Sequence, residues 1–113
     1  MDKIDKLKKY GVDIELTLDR FLGDEDFYLE CIEAFLDETI FDDLIKAINS
    51  GNYNNAFEHA HNLKGVLANL GLQKILTPTE ELVEKLREND YEDIDLYLAK
   101  IINEREKFLT VVK

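Results

Sequence analysis

The residues best suited to chemistry lie in one helical segment, in the order His61, Lys64, Gly65. With about 100° per residue, the apolar face of this segment centres about 210° from His61. His61 therefore faces solvent, and Lys64 and Gly65 lie within about 60° of it. A glycine inside a helix costs about 1 kcal/mol relative to alanine. This pattern indicates a surface that serves a partner rather than stability. The apolar face consists of Ala56, Ala60, Leu63, Leu67 and Leu70.

The chemistry that this surface suits is uptake of a phosphoryl group. Imidazole is largely unprotonated and nucleophilic at neutral pH. If His61 took up a phosphoryl group, the ammonium of Lys64 at i+3 would neutralise the added charge. Gly65 and Ala68 carry almost no side chain, so a large partner can approach, and Phe57 offers an apolar docking contact. The pattern predicts a phosphoacceptor that a second protein reaches from solvent, rather than a closed catalytic pocket.

The same residues resemble the signature of histidine phosphotransfer (Hpt) domains. The resemblance consists of His61-x-Leu63-Lys64-Gly65 followed by Leu70-Gly71. Upstream, Tyr10-Gly11-Val12-Asp13 and the segment from Phe21 to Glu25 are similar to the usual lead-in of such domains. The likeness extends over about residues 10–110, nearly the whole chain.

The resemblance implies both a fold and a function. The fold would be all-α, an antiparallel up-down four-helix bundle with one or two short N-terminal lid helices. The function would be that of a phosphorelay intermediate in a two-component system. His61 would accept phosphate from the aspartyl phosphate of a response-regulator receiver domain and pass it to another receiver. Lys64 would be the charge partner, and Gly65 would leave clearance for the incoming receiver.

The resemblance also implies the partners and cofactors. The partners would be receiver domains, with a hybrid sensor kinase as a further candidate. The protein would have no independent catalytic activity, no cofactor and no metal of its own, because the receiver supplies the aspartate and Mg²⁺. The direction of net phosphate flow stays open.

Plainer interpretations of the site residues stay open. Lys64 could be solvated or ion-paired, as most helix lysines are. Gly65 could mark close packing of another helix, and Phe57 could belong to the core. Val66 could slightly narrow the approach of a receiver. His59 lies at the edge of the apolar face, so we expect it to be partly buried and hydrogen-bonded.

Two rival functions use the same helix. A non-phosphorylated helical adaptor would bind a receiver or another signalling protein through this face and would tolerate His61→Gln. Glu58-x-x-His61 matches the ligand pair of di-iron bundles. Such a site needs a second copy, however, and the chain has only two histidines. The single cysteine, Cys31, cannot build a zinc site and is expected to be a small core residue.

Length, charge and composition restrict the partners further. With 113 residues, 45% of them hydrophobic, the chain is long enough for one domain with a sizeable core. A net charge of −11 disfavours nucleic acid and anionic membranes. The start of the chain has no apolar signal segment, and no apolar run is long enough to cross a bilayer. We therefore expect a soluble, cytoplasmic monomer, and Met1 favours a stand-alone protein.

Apolar periodicity predicts helices throughout the chain. We expect short helices over residues 2–9 and 13–22, followed by a four-helix core over 24–112. Asp24 caps the first core helix, which runs to about Asn49 with a bend near residues 39–41. Asn52 caps the histidine helix over 53–70, and Gly71 ends it in a left-handed conformation.

The last two helices are predicted from their capping residues. Thr77-Pro78-Thr79-Glu80 forms a capping box with proline at the first helical position. We therefore expect only a helical turn at 72–76, a break near Pro78 and a helix to Arg87 or Glu88. Asn89-Asp90 would then cap the last helix, over about 91–112.

Overall fold

The protein is described over residues 1–112 by a computed structural model, and these residues form seven helices. None of these helices is long and apolar enough to cross a membrane. The helices are α1 (Lys3–Tyr10), α2 (Ile14–Asp19), α3 (Glu25–Leu36), α4 (Ile40–Asn49), α5 (Tyr53–Leu70), α6 (Gln73–Arg87) and α7 (Ile94–Val112).

Four rods of helix make the bundle, the first of which is divided into α3 and α4. The α5 helix packs between α4 and α6, and α7 packs between α6 and α1. Phe108 of α7 lies 6.4 Å from Phe35 of α3 between ring centroids, which closes the bundle. The all-α bundle predicted from the sequence is confirmed, with α1 and α2 as short helices packed on it.

The core is built from the apolar faces that the periodicity predicts. On α5 all five predicted residues are buried, from Ala56 to Leu70. Burying a leucine side chain stabilises the fold by about 1.5–3 kcal/mol relative to leaving it exposed. The residues with no exposed surface include Leu7, Tyr28, Leu44, Leu63, Leu67, Leu72, Ile75, Leu82, Val83 and Ile101.

The first core helix was predicted to run from Asp24 to about Asn49 with a bend near residues 39–41, and the structure has a full break next to that position. The cap is confirmed, because Asp24 Oδ1 accepts a hydrogen bond from the Phe27 amide at 3.0 Å. The chain then leaves the helix after Leu36 and resumes at Ile40. Phe35 and Phe41 would lie about 120° apart around a straight helix. The break lets both rings enter the core, where their centroids are 5.6 Å apart.

The predicted break near Pro78 is wrong, since α6 is continuous through it. Pro78 is the sixth residue of α6, so its missing amide leaves only the Lys74 carbonyl without its helical donor. The hydroxyls of Thr77 and Thr79 donate to helix carbonyls one turn back, at 3.1 and 2.8 Å. Because Pro78 and Thr79 are buried in the bundle, packing outweighs the local capping pattern.

Two further helix ends differ from the prediction. The α2 helix ends at Asp19 instead of residue 22, because the chain turns through Leu22 and Gly23, both at positive φ. The α7 helix begins at Ile94 instead of residue 91. Residues 91–93 form the connection instead, and the Asp90 carboxylate accepts hydrogen bonds from the Glu92 amide and from Lys85.

Tyr28 joins α3 to the end of α5. Its side chain is buried, and its hydroxyl donates a hydrogen bond of 2.8 Å to the Leu70 carbonyl. Burial raises the pKa of Tyr28 to about 12, so the phenol stays a neutral donor at physiological pH. The bond satisfies a carbonyl in the last turn of α5, which has no donor within its own helix.

We expect Tyr28→Phe to lower the free energy of unfolding by about 1–2 kcal/mol, because the Leu70 carbonyl loses its donor in a buried position. Chemical denaturation measures this change. Tyr91→Phe is the matched control, since the Tyr91 hydroxyl bonds only to the exposed Asn89 side chain. Equal losses in the two variants would contradict the role assigned to the Tyr28 bond.

Candidate functional site

The exposed face of α5 brings the five predicted site residues together. His61, Gly65 and Ala68 are exposed, and Lys64 and Phe57 are half-buried. The ring of Phe57 lies 5.8 Å from the ring of His61 between centroids. His61 makes no side-chain hydrogen bond to any residue in the 1–112 range. Its imidazole is therefore open to a partner from solvent.

The C-terminal end of α5 is held in place by α2 and by Arg20, the residue that follows α2. Gly71 ends α5 at φ +75°, which confirms the predicted left-handed C-cap. A Cβ at Gly71 would collide with the buried side chain of Thr17 on α2. Arg20 donates from Nη1 to the Ala68 carbonyl at 2.9 Å, so a cation sits at the negative end of the α5 dipole.

Lys64 supplies a positive charge beside the imidazole. Its side chain is half-buried, which is consistent with a stem that follows the helix surface and an ammonium that reaches solvent. None of the ion pairs in residues 1–112 involves Lys64. In a protein with 25 acidic side chains, this ammonium is available to an incoming anion.

Gly65 is not required by packing within the protein. A Cβ built at Gly65 would have no atom within 4 Å apart from its chain neighbours and the backbone of its own helix. The interpretation of Gly65 as a contact point for another helix is therefore wrong. Its small size matters only to something that approaches from outside.

Phe57 lies between the imidazole and a cation that the sequence analysis missed. It packs partly against the core, and the Arg87 guanidinium lies 5.5 Å from its ring centroid. Arg87 is ion-paired with Glu84 on the same helix. The α6 helix runs back along α5, so the last turn of α6 meets the first half of α5. Only this packing relates Arg87 to His61, and no local motif indicates it.

A groove beside Gly65 was also missed. Its volume is about 480 Å³, and it runs between α5 and the break that separates α3 from α4. Cys31, predicted to be a core residue, is half-buried and lines this groove, so that prediction is wrong in degree. Val66 also lines the groove, where its side chain forms a wall. The other lining residues include Ala34, Phe35, Ile40, Asn69 and Leu70.

The structure also shows the surroundings of the second histidine, His59, and bears on the alternative of a metal site. His59 is half-buried as expected, but its ring makes no hydrogen bond within residues 1–112, so the expected bond is wrong. No group of three or more His, Cys, Asp or Glu side chains in that range could hold a metal ion. Glu58 and His61 line a shallow surface depression with Phe57 and Asn62.

This arrangement can present a nucleophile, but it encloses no substrate. The imidazole is exposed, and the unpaired Lys64 lies one turn further along α5. The Arg87 guanidinium lies over the neighbouring Phe57 ring. Gly65 and Ala68 leave the helix surface beside the imidazole without large side chains. Such a face suits reaction with a group that a second protein delivers, because the partner must supply the rest of the site.

A family model for the Hpt domain matches residues 30–107. The match starts within α3 and ends within α7, so it includes the whole of α5. No curated protein and no solved structure matches the chain at a significant level.

Proposed function

Because the match covers more than half of the chain, the protein belongs to the Hpt domain family of phosphocarrier modules in two-component phosphorelays, and we propose that His61 carries the phosphoryl group. The observation that most supports this proposal is the arrangement of residues on the exposed face of α5. His61 is exposed without a competing partner, beside an unpaired Lys64 and a Gly65 that packing does not require.

The proposed reaction is an exchange between His61 and an aspartyl phosphate on a receiver domain. The lone pair of one ring nitrogen of His61 attacks phosphorus, and the N–P bond forms as the bond from phosphorus to the aspartate oxygen breaks. The aspartate leaves as a carboxylate with the electron pair. The same exchange in reverse passes the group to a second receiver. The receiver supplies the aspartate and Mg²⁺, so this chain contributes position and charge.

The other residues of the face support this exchange in different ways. Lys64 lies where its ammonium can compensate the charge on a phosphorylated His61. Arg87 adds a second cation beside Phe57, and the Phe57 ring offers an apolar contact next to the imidazole. Gly65 and Ala68 leave room for the loops of the receiver. In this proposal the protein acts as a cytoplasmic monomer and has no catalytic activity without its partner.

We expect His61→Gln to abolish transfer of label from a phosphorylated receiver domain, because the nucleophile is gone. His59→Gln is the matched control and should accept label like the wild type. The wild-type product should be labile in acid and stable in base, as expected of a phosphoramidate. Undiminished label on the His61→Gln variant would refute the assignment. If the receiver binds all three proteins and phosphorylates none, the face is a docking site and the adaptor function replaces the relay.

We expect Gly65→Ala to raise the stability of the protein and to slow phosphoryl transfer. The free energy of unfolding should rise by about 1 kcal/mol, because the new Cβ meets nothing and alanine favours the helix. Transfer should slow about tenfold or more, because the methyl group displaces the receiver from its reactive position. Denaturation and single-turnover transfer measure the two effects.

Ala68→Gly is the control for the Gly65→Ala variant. It should lower the free energy of unfolding by about 1 kcal/mol and leave transfer near the wild-type rate. A transfer rate that simply follows stability in the two variants would contradict a clearance role for Gly65.

We expect Lys64→Gln to slow transfer about tenfold, because one charge that stabilises the phosphoryl group is removed. The free energy of unfolding should change little, since Lys64 has no ion pair in residues 1–112. Lys46→Gln removes the same charge from an exposed position on α4 and should leave the rate unchanged. Equal rates in the two variants would show that only the net charge matters.

A further inference from the structure

A second concave surface lies where α1, α6 and α7 meet. Its volume is about 680 Å³, and none of its lining residues belongs to α5. Small-molecule sites in proteins have volumes of about 300–1,000 Å³, so this groove falls within the usual range. Three of its lining residues are lysines: Lys9, Lys74 and Lys107. We call this surface the lysine groove.

The lysine groove carries positive charge on an acidic protein. Among residues 1–112, the only carboxylate that lines it is that of Glu104, which lies 3.3 Å from the Lys107 ammonium. Lys9 and Lys74 have no carboxylate partner within residues 1–112. Acidic residues outnumber lysine and arginine by 25 to 14 in this chain. Carboxylates are therefore abundant in this chain, and their number does not explain why Lys9 and Lys74 have no partner.

The position of Lys74 is set by its neighbours on α1. Its ammonium lies 5.2 Å from the centroid of the Tyr10 ring. Its side chain also passes Gly11, where an added Cβ would lie only 3.2 Å from Lys74 Cε. Gly11 has a φ of +121°, which only glycine adopts readily. The turn after α1 therefore leaves space for the lysine side chain.

Tyr10 shapes the groove without adding negative charge. Its hydroxyl lies 3.3 Å from the Glu104 carbonyl and 3.4 Å from the Glu104 carboxylate, to which it donates. Burial, and then the charge of Glu104 and the hydrogen bond to it, raise the pKa of Tyr10 well above its ordinary value. The phenol is therefore neutral at physiological pH, and the groove keeps its excess of ammonium groups.

Helix stability does not account for Lys74. It lies in the first turn of α6, which contains no acidic residue, and a cation there interacts unfavourably with the helix dipole. Lys9 differs, because it lies in the last turn of α1, where a cation is favourable. Like charges that share one groove also repel each other. An anion bound between the three ammonium groups would remove this repulsion.

Thr110 adds a hydroxyl group to the lining of the groove. Its hydroxyl donates to the Glu106 carbonyl at 2.9 Å, so its remaining lone pairs can accept a hydrogen bond from a ligand hydroxyl. Val111 adds an apolar wall. We propose that the lysine groove binds a small phosphate-bearing molecule, whose phosphoryl oxygens lie between Lys9, Lys74 and Lys107. The site shares no residue with the α5 face, so it can be tested without a receiver domain.

The test is a titration of the isotope-labelled full chain, followed by the backbone amide resonances in NMR spectra. Inorganic phosphate and ribose 5-phosphate are the two probes, ribose is the uncharged control, and ionic strength is held constant. We expect saturable shifts at Tyr10, Lys74 and Thr110 with either phosphate probe and none with ribose. Lys74→Gln should weaken binding about tenfold, since one charge-assisted contact is lost. Lys46→Gln should leave binding unchanged.

The two probes distinguish the sources of the phosphoryl group. Tighter binding of ribose 5-phosphate would favour a phosphate ester as the ligand, and tighter binding of inorganic phosphate would favour free phosphate. Equal binding would show that the site contacts the phosphoryl group alone. Each of these results supports the site. Shifts spread over all surface lysines, equal binding by the Lys74→Gln and Lys46→Gln variants, or no saturation at about 20 mM probe would overturn the proposal. None of these outcomes bears on transfer through His61.

Discussion

The rotation of α5 about its own axis is the constraint on which the rest of the structure depends. Five apolar side chains of α5, from Ala56 to Leu70, are buried between α4 and α6. A rotation by one residue, about 100°, would expose part of this face and turn polar residues inward. Each exposed leucine would cost about 1.5–3 kcal/mol. The packing of the core therefore holds His61 on the outer side of the helix.

Contacts at the C-terminal end of α5 fix the position of this helix along the bundle. Tyr28 bonds to the Leu70 carbonyl, Thr17 packs against Gly71, and Arg20 bonds to the Ala68 carbonyl. All three contacts lie in the last turn or just beyond it, and only the Ala68 carbonyl belongs to a residue of the face that carries His61. Apart from that carbonyl and the partial packing of Phe57 against the core, the structural contacts lie away from the face that we propose meets a partner. This separation explains how an exposed face with an uncontacted glycine can exist on a well-packed helix.

Five of the 14 lysine and arginine residues lie at two separate surfaces. Lys64 lies one turn from His61 on α5, and the Arg87 guanidinium lies over the Phe57 ring, which neighbours the imidazole. The three lysines of the lysine groove lie on α1, α6 and α7. Elsewhere the net charge of −11 dominates, and it disfavours approach of other anions. On such a protein a local group of cations has a strong effect on where an anionic group binds. The same physical rule therefore supports both proposals, the phosphoryl group at His61 and the phosphate-bearing molecule in the lysine groove.

Local sequence determined the parts of this protein that depend on neighbours a few residues away. The helix over residues 53–70, its cap at Asn52, its end at Gly71 and the outward direction of His61 all follow from periodicity and capping. The resemblance to the Hpt family rests mainly on the same short segment, with similar residues upstream at 10–13 and 21–25. These features are local because a helix is stabilised by bonds between residues four apart and by its terminal residues.

Tertiary structure alone decided the features that depend on contacts between helices. The chain breaks between α3 and α4 so that Phe35 and Phe41 both enter the core, and α6 continues through Pro78 because that segment is buried. The same packing brings Arg87 to Phe57 and gathers the lysine groove from three helices. Residues far apart in the chain have no periodic relation that a sequence pattern could reveal. Their proximity follows only from the way in which the helices fill the core.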